Sequence, residues 1–140
     1  MKISIGSDHG AFDLKEELKA IFGEIEFIDK GCFDKSSVDY PDFAESVCQD
    51  IKDNNCDFGI LLCTTGIGMS MAANKHKQIR AALCLNEDMA KYTRLHNNAN
   101  LLCLGAKYTN IELAKQIVET FISTQFEGGR HQNRVAKFSI

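Results

Sequence analysis

Asp57-Phe58-Gly59-Ile60-Leu61-Leu62-Cys63-Thr64-Thr65-Gly66-Ile67-Gly68-Met69-Ser70 is the stretch that decides the fold class. From Phe58 to Cys63 it is apolar without alternation, the pattern of a strand covered on both faces. The chain then turns on two glycines straight into a helical segment. A strand buried on both sides and followed at once by a helix predicts a parallel sheet built by βαβ crossovers. Reading outward, four further β-rich runs fit the same plan: Lys2–Gly6, Glu24–Asp29, Arg80–Leu85 and Asn100–Gly105. Between them lie helical faces, marked by Leu14, Leu18 and Ile21, then by Phe43, Val47 and Ile51, and finally by Leu113, Ile117 and Phe121. Pro41 suits a first helical turn, where its missing N–H costs nothing. The expectation is an α/β fold, a three-layer α/β/α Rossmann-like sandwich on a five-stranded parallel sheet, with the strand at 57–63 beside the first.

Length and composition agree. A chain of 140 residues suits one domain, expected over 1–140, and a domain of that size buries roughly 68% of its extended-chain surface. With 44% hydrophobic and 25% charged residues the composition is that of ordinary globular proteins. No run approaches the roughly 18 apolar residues needed to cross a bilayer, and Ser7, Asp8 and His9 interrupt the first apolar run too early for a signal peptide. A cytoplasmic protein without membrane association is expected. The net charge of −3 argues against nucleic acid as a partner. Residues 128–140 nevertheless carry Arg130, Arg134 and Lys137 and no acid. A short basic segment on an acidic body suits a small anion. The six cysteines form no CxxC and sit mostly in hydrophobic runs, so reduced core thiols are expected.

Open parallel sheets bind ligands beyond the carboxyl ends of their strands, where helix N-termini present free N–H groups. The loops that matter are therefore 7–10, 31–40, 64–70, 86–88 and 106–110. In the third, Cys63 ends a strand facing Thr64, Thr65, Gly66, Ile67 and Gly68. Successive N–H groups there favour negative charge and would stabilise a thiolate. The plainer alternative is a tight turn beside a buried cysteine. Three known loops fail to fit. A dinucleotide fingerprint needs glycine where Met71 stands, a Walker loop needs a lysine before its Ser/Thr, and a cysteine phosphatase needs an arginine where Met69 stands. Asp8 and His9 close the first strand and would share the crevice, although Asp8 could simply cap the helix that follows. His96 lies in a helix-to-strand loop, on the opposite edge of the sheet from the crevice. A catalytic His96 would thus have to serve a second subunit's site; a structural histidine is the plainer alternative. If the tail is helical, Arg130 and Arg134 fall on one face and can grip a phosphate, with Lys107 as a further cation. The four histidines are scattered and no metal-ligand spacing is present, so no metal is expected.

A thiolate, a nest of N–H donors, a histidine and a phosphate clamp suit proton transfer next to a carbonyl through an enediolate. The segments SDHGAFDLK, DKG, DYPDFA, CTTGIGMSMAANK, RLHNNANLLCLGA and FEGGRHQNRV, in this order over nearly the whole chain, resemble the type B ribose-5-phosphate isomerases of the RpiB/LacAB sugar-phosphate isomerase family. The resemblance implies interconversion of D-ribose 5-phosphate and D-ribulose 5-phosphate in the non-oxidative pentose phosphate pathway, with no metal, nucleotide or other cofactor. It implies a homodimer with shared active sites, with or without pairing into a tetramer. By position it makes Cys63 the proton-abstracting residue and His96 the ring opener. It makes Asp8, His9, Tyr40, Thr64, Thr65, Gly66, Ile67, Gly68, Asn97, Lys107, Arg130 and Arg134 substrate contacts. Thr64 is bulkier than the Gly or Ser of many relatives, Lys107 stands where Arg is frequent, and 69–71 offers no carboxylate base. Six-carbon substrates (allose or galactose 6-phosphate) remain a variant of this reading. The other class considered is a non-catalytic flavodoxin-like module binding a nucleotide or other anion, against which Met71 and the absent Walker lysine count.

Overall fold

The computed structural model describes residues 1–139. Five strands, β1 (Lys2–Ser7), β2 (Glu26–Asp29), β3 (Phe58–Cys63), β4 (Ala81–Leu83) and β5 (Leu101–Gly105), form one parallel sheet in the order β2-β1-β3-β5-β4. Six helices follow the chain: α1 (Phe12–Ile21), α2 (Tyr40–Lys52), α3 (Ile67–Ala73), α4 (Glu87–Leu95), α5 (Ile111–Ser123) and α6 (Arg130–Ala136). The central place of β3 is what its unbroken apolar run demands. Alternate residues of that strand feed two cores. Ile60 and Leu62 pack with Leu14, Leu18, Ala90, Ile117 and Phe121 beneath α1, α4 and α5. Leu61 and Cys63 pack with Ala44, Val47, Met69 and Ala73 beneath α2 and α3. This is the expected α/β/α sandwich, with β1 and β3 adjacent as anticipated.

Two strands are shorter by two or more residues than the sequence pattern suggests. β4 is reduced to Ala81–Leu83 because side chains take over the backbone donors at its start: Asn100 Oδ1 accepts the Arg80 N–H at 2.8 Å, and Asn74 Oδ1 the Ala81 N–H at 2.9 Å. β2 begins at Glu26, since Ile25 still belongs to the turn that closes α1, its N–H bonded to the Phe22 carbonyl.

An unforeseen feature fixes the β2 side. Lys15, on α1, is fully buried, its ammonium 2.6 Å from Asp29 and 2.9 Å from Glu16 and lying over the rings of Phe12 and Phe33. Lys19 joins Asp29 at 2.6 Å. Burial raises the Asp29 carboxyl, but the two ammonium groups and the Gly31 N–H outweigh it, so its pKa falls below the ordinary value. Through Asp29, which accepts the Gly31 N–H at 2.9 Å, the cluster anchors the loop after β2, whose Gly31 carbonyl accepts the Ser7 N–H at 2.7 Å. Among the described residues no helix is long and apolar enough to cross a membrane.

Candidate active site

At the carboxyl ends of β1 and β3 the two glycine-bearing loops meet. The Asp8 N–H donates to the Leu62 carbonyl at 3.1 Å. Gly10 lies so close to Thr64 that a Cβ at position 10 would stand 2.3 Å from the Thr64 hydroxyl oxygen. Cys63, with 5% of its surface exposed, ends β3 beneath this junction. The Gly66 N–H donates to its sulfur at 3.1 Å. That contact depends on a left-handed backbone at Gly66 (φ 76°), where a Cβ would also lie 2.9 Å from the Leu104 carbonyl carbon. The loop is braced on β5: the Ala106 N–H bonds the Cys63 carbonyl and the Lys107 N–H the Thr64 carbonyl. Thr65 accepts the Ile67 N–H through Oγ1 at 3.3 Å. Tyr40, from the start of α2, lies over α3, its ring so near Gly68 that a Cβ there would be 2.6 Å from Cζ.

Cys63 differs from the other core thiols in place, at the end of a central strand with the Gly66 N–H on its sulfur. Burial pushes Cys48 and Cys84 up to about 12 and raises Cys56 and Cys103, which keeps those four protonated and inert at neutral pH. Asp8 does cap the turn that follows, as the plainer alternative held: Oδ1 accepts the Ala11 N–H at 3.1 Å. His9 is exposed and accepts the Val38 N–H on Nδ1 at 3.2 Å, tying the first loop to the segment before α2.

The remaining sequence candidates gather elsewhere. His96 is the C-terminal cap of α4, before β5 begins at Leu101. Leu101 pairs with Gly59, four residues before Cys63 on β3, so His96 lies more than about 13 Å of strand away from its own crevice. Arg130 and Arg134 occupy successive turns of α6 and are exposed, while His131 and Val135 anchor that helix. The His131 ring stacks on His96 with centroids 4.1 Å apart and planes 14° from parallel. Tyr92 flanks His96 at 5.0 Å. The tail reaches this position because the Glu127 N–H bonds the Leu95 carbonyl at 3.0 Å, which also brings the Glu127 carboxylate within 4.0 Å of His96 Nε2. Burial, then the adjacent His96, draws His131 below the ordinary histidine value. Asn97 lines a hollow of about 440 Å³ along the β4 edge, together with Arg80, Ala82, Thr93 and Phe138.

The candidates thus fall into two groups at opposite edges of the sheet. One holds Cys63, Asp8, His9, Tyr40, the 64–68 loop and Lys107; the other holds His96, Asn97, Arg130 and Arg134. His131 and Glu127 were not singled out from the sequence, although both lie in the tail segment whose arginines were. The expectation that the histidines stay scattered is corrected here, since α6 folds His131 onto His96.

The pattern of ribose/galactose isomerases matches residues 3–138. The chain belongs to that family. Ribose-5-phosphate isomerase B of Escherichia coli is 44% identical to it over 136 residues, covering 96% of this chain and 91% of that protein. Ribose 5-phosphate isomerase of Thermotoga maritima is 54% identical and superposes with a TM-score of 0.96, covering 99% of this chain and 97% of the other. Ribose-5-phosphate isomerase B of Clostridium thermocellum, 48% identical, superposes with a TM-score of 0.97 over 99% and 95% of the two chains. The protein is therefore an aldose–ketose isomerase acting on a phosphorylated sugar, and the doubly wound sheet is the family fold. The nucleotide-binding flavodoxin-like alternative falls with this assignment.

Proposed function

We propose that the isomerase interconverts D-ribose 5-phosphate and D-ribulose 5-phosphate, with residues 1–140 acting as one catalytic domain. The substrate assignment is supported by the names of the relatives that align over nearly the full chain. The observation that carries the chemistry is the Gly66 N–H on the Cys63 sulfur at 3.1 Å, where the Asp8 and Thr64 loops meet at the strand ends. Cys63 takes the proton from C2 of the open-chain aldose. The electron pair left behind forms the C1–C2 double bond, and the carbonyl oxygen becomes an enediolate oxygen. Loop N–H groups stabilise that oxygen; one such donor is typically worth roughly 3–4 kcal/mol in the transition state. A proton then passes from the C2 hydroxyl to the C1 oxygen, and as the C2 carbonyl forms, the electron pair of the C1–C2 bond takes the proton back from the thiol at C1, restoring the thiolate. Tyr40, Asp8, His9 and residues 64–68 hold the sugar hydroxyls, and no cofactor enters the scheme.

Ring opening falls to His96, with Asn97 beside it, and phosphate binding to Arg130 and Arg134. The distance between the half-sites means that these residues serve the crevice of a second copy, in a homodimer with two shared sites. The β4 edge suits that contact. Leu85, Met89 and Tyr92 there are 40–45% exposed, and Met89 and Tyr92 line a second hollow, of about 320 Å³, to which Asn97 also contributes. The product chemistry, sugar phosphates exchanged without redox change, fits the non-oxidative pentose phosphate pathway in the cytoplasm. The deciding experiment is an assay of the purified protein on ribose 5-phosphate, allose 6-phosphate and galactose 6-phosphate side by side. Highest kcat/KM on ribose 5-phosphate is expected; preference for either six-carbon sugar overturns the substrate assignment.

A further inference from the structure

We propose that His96, Glu127 and His131 form an inhibitory binding site for a borderline divalent cation, with zinc as the matching ion. One ligand atom from each residue lies within 4.8 Å of the other two. His131, only 7% exposed, has its Nε2 buried and without a hydrogen-bond partner among the described residues. A buried imidazole nitrogen with nothing to bond is costly to leave unmade, and a metal ion satisfies it. Two imidazoles and one carboxylate are a frequent zinc donor set, with water in the fourth position.

Zinc–ligand distances of about 2.1 Å place tetrahedral donors about 3.4 Å apart, so no pair of the three atoms must close by more than about 1.4 Å. The nearly parallel stack cannot supply that closure as it stands, because in-plane lone pairs of parallel rings do not converge. His96 must turn out of the stack. Its side chain is about one-third exposed, at the end of α4. His131 stays fixed by the packing of α6, and the Glu127 carboxylate is exposed and free to follow. The charge of Glu127 offsets the neighbouring Arg130 and Arg134. The ion would claim the His96 lone pair, so ring opening stops while Cys63 is untouched. Binding of the ion stands on the geometry alone; the inhibition rests on the proposed role of His96.

The test uses the full chain, freed of metal with a chelator. Zinc binding is measured by calorimetry, and cobalt(II) absorption reports the donor set. Turnover of ribose 5-phosphate is followed with and without zinc. We expect one ion per chain and no thiolate-to-cobalt charge-transfer band. Affinity should fall at least tenfold in both His131→Phe, which keeps a stacking ring, and the exposed Glu127→Gln, and chelator should restore activity. No ion bound at micromolar zinc, undiminished affinity in both variants, or a thiolate band overturns the site. Tight binding with turnover unchanged overturns the inhibition. A zinc-free protein that is inactive on ribose 5-phosphate overturns the substrate reading and leaves the binding result intact.

Discussion

At the scale of single residues the proposed chemistry turns on a sulfur, one N–H and the backbone shape that joins them. Cys63→Ala removes the base and leaves the loop, so exchange of the C2 proton with deuterated water should fall by at least about 10³-fold, at the upper part of the range for a positioned acid–base group. Substrate should still protect the variant against thermal unfolding; exchange at the wild-type rate would remove Cys63 from the mechanism. Gly66→Ala tests the geometry instead. The left-handed backbone and the carbon 2.9 Å away forbid a Cβ, so the variant should unfold earlier by about 1–3 kcal/mol and lose kcat with its thiol intact. A midpoint unchanged in urea would refute the strain. Cys63 was legible in the sequence because a thiol that ends an apolar strand just before a glycine turn sits next to the N–H groups of that turn. The Gly66 contact on it was not, since it depends on one dihedral angle.

At the scale of elements, α6 and the α1–β2 junction make separate claims. Arg130 and Arg134 were readable as a pair because four-residue spacing places two side chains on one helix face, and the tail is indeed helical. Replacing either with alanine should raise KM for the phosphorylated sugar by about tenfold or more with a smaller change in kcat. An unchanged KM would take the arginines out of phosphate binding. Lys15 was not legible: on a helical wheel it is a solvated lysine, and only the closing of α1 over β2 buries it against Asp29. Asp29→Asn leaves that ammonium buried with a weaker partner and should cost about 3–5 kcal/mol. The sign of the pH effect follows from the lowered Asp29 pKa. Its contribution is fully present above the unfolded-state value and is lost as pH falls through the folded one. The wild type should therefore lose urea stability below about pH 4 faster than the Asp29→Asn variant does. Parallel curves would show that Asp29 is not responsible.

At the scale of the whole molecule, the half-sites lie at opposite edges of one sheet, and the proposed dimer joins them. Cys63→Ala and His96→Ala, each nearly inactive alone, should regain activity when mixed and allowed to exchange subunits. A hybrid dimer has one intact site of two, so the recovery should approach about one quarter of the wild-type rate after random exchange. No recovery, with exchange verified by sedimentation of tagged chains, would place His96 within its own chain's chemistry or outside it.

The sequence by itself determined the order of elements, the central place of β3, the loops at the strand ends and the candidates for the reactive groups. Those features follow from short-range rules: apolar periodicity, glycine turns, and the location of strand ends in a parallel sheet. Tertiary structure alone decided that His131 lies on His96, that Lys15 is buried, and that α6 carries Arg130 and Arg134 to the His96 edge of the sheet. Each of these depends on how helices far apart in the chain pack across the sheet. The Glu127–Leu95 backbone bond that seats α6 against α4 links residues 32 positions apart. Local pattern has no range to report such a contact, because the free energy that selects it comes from burying whole faces together.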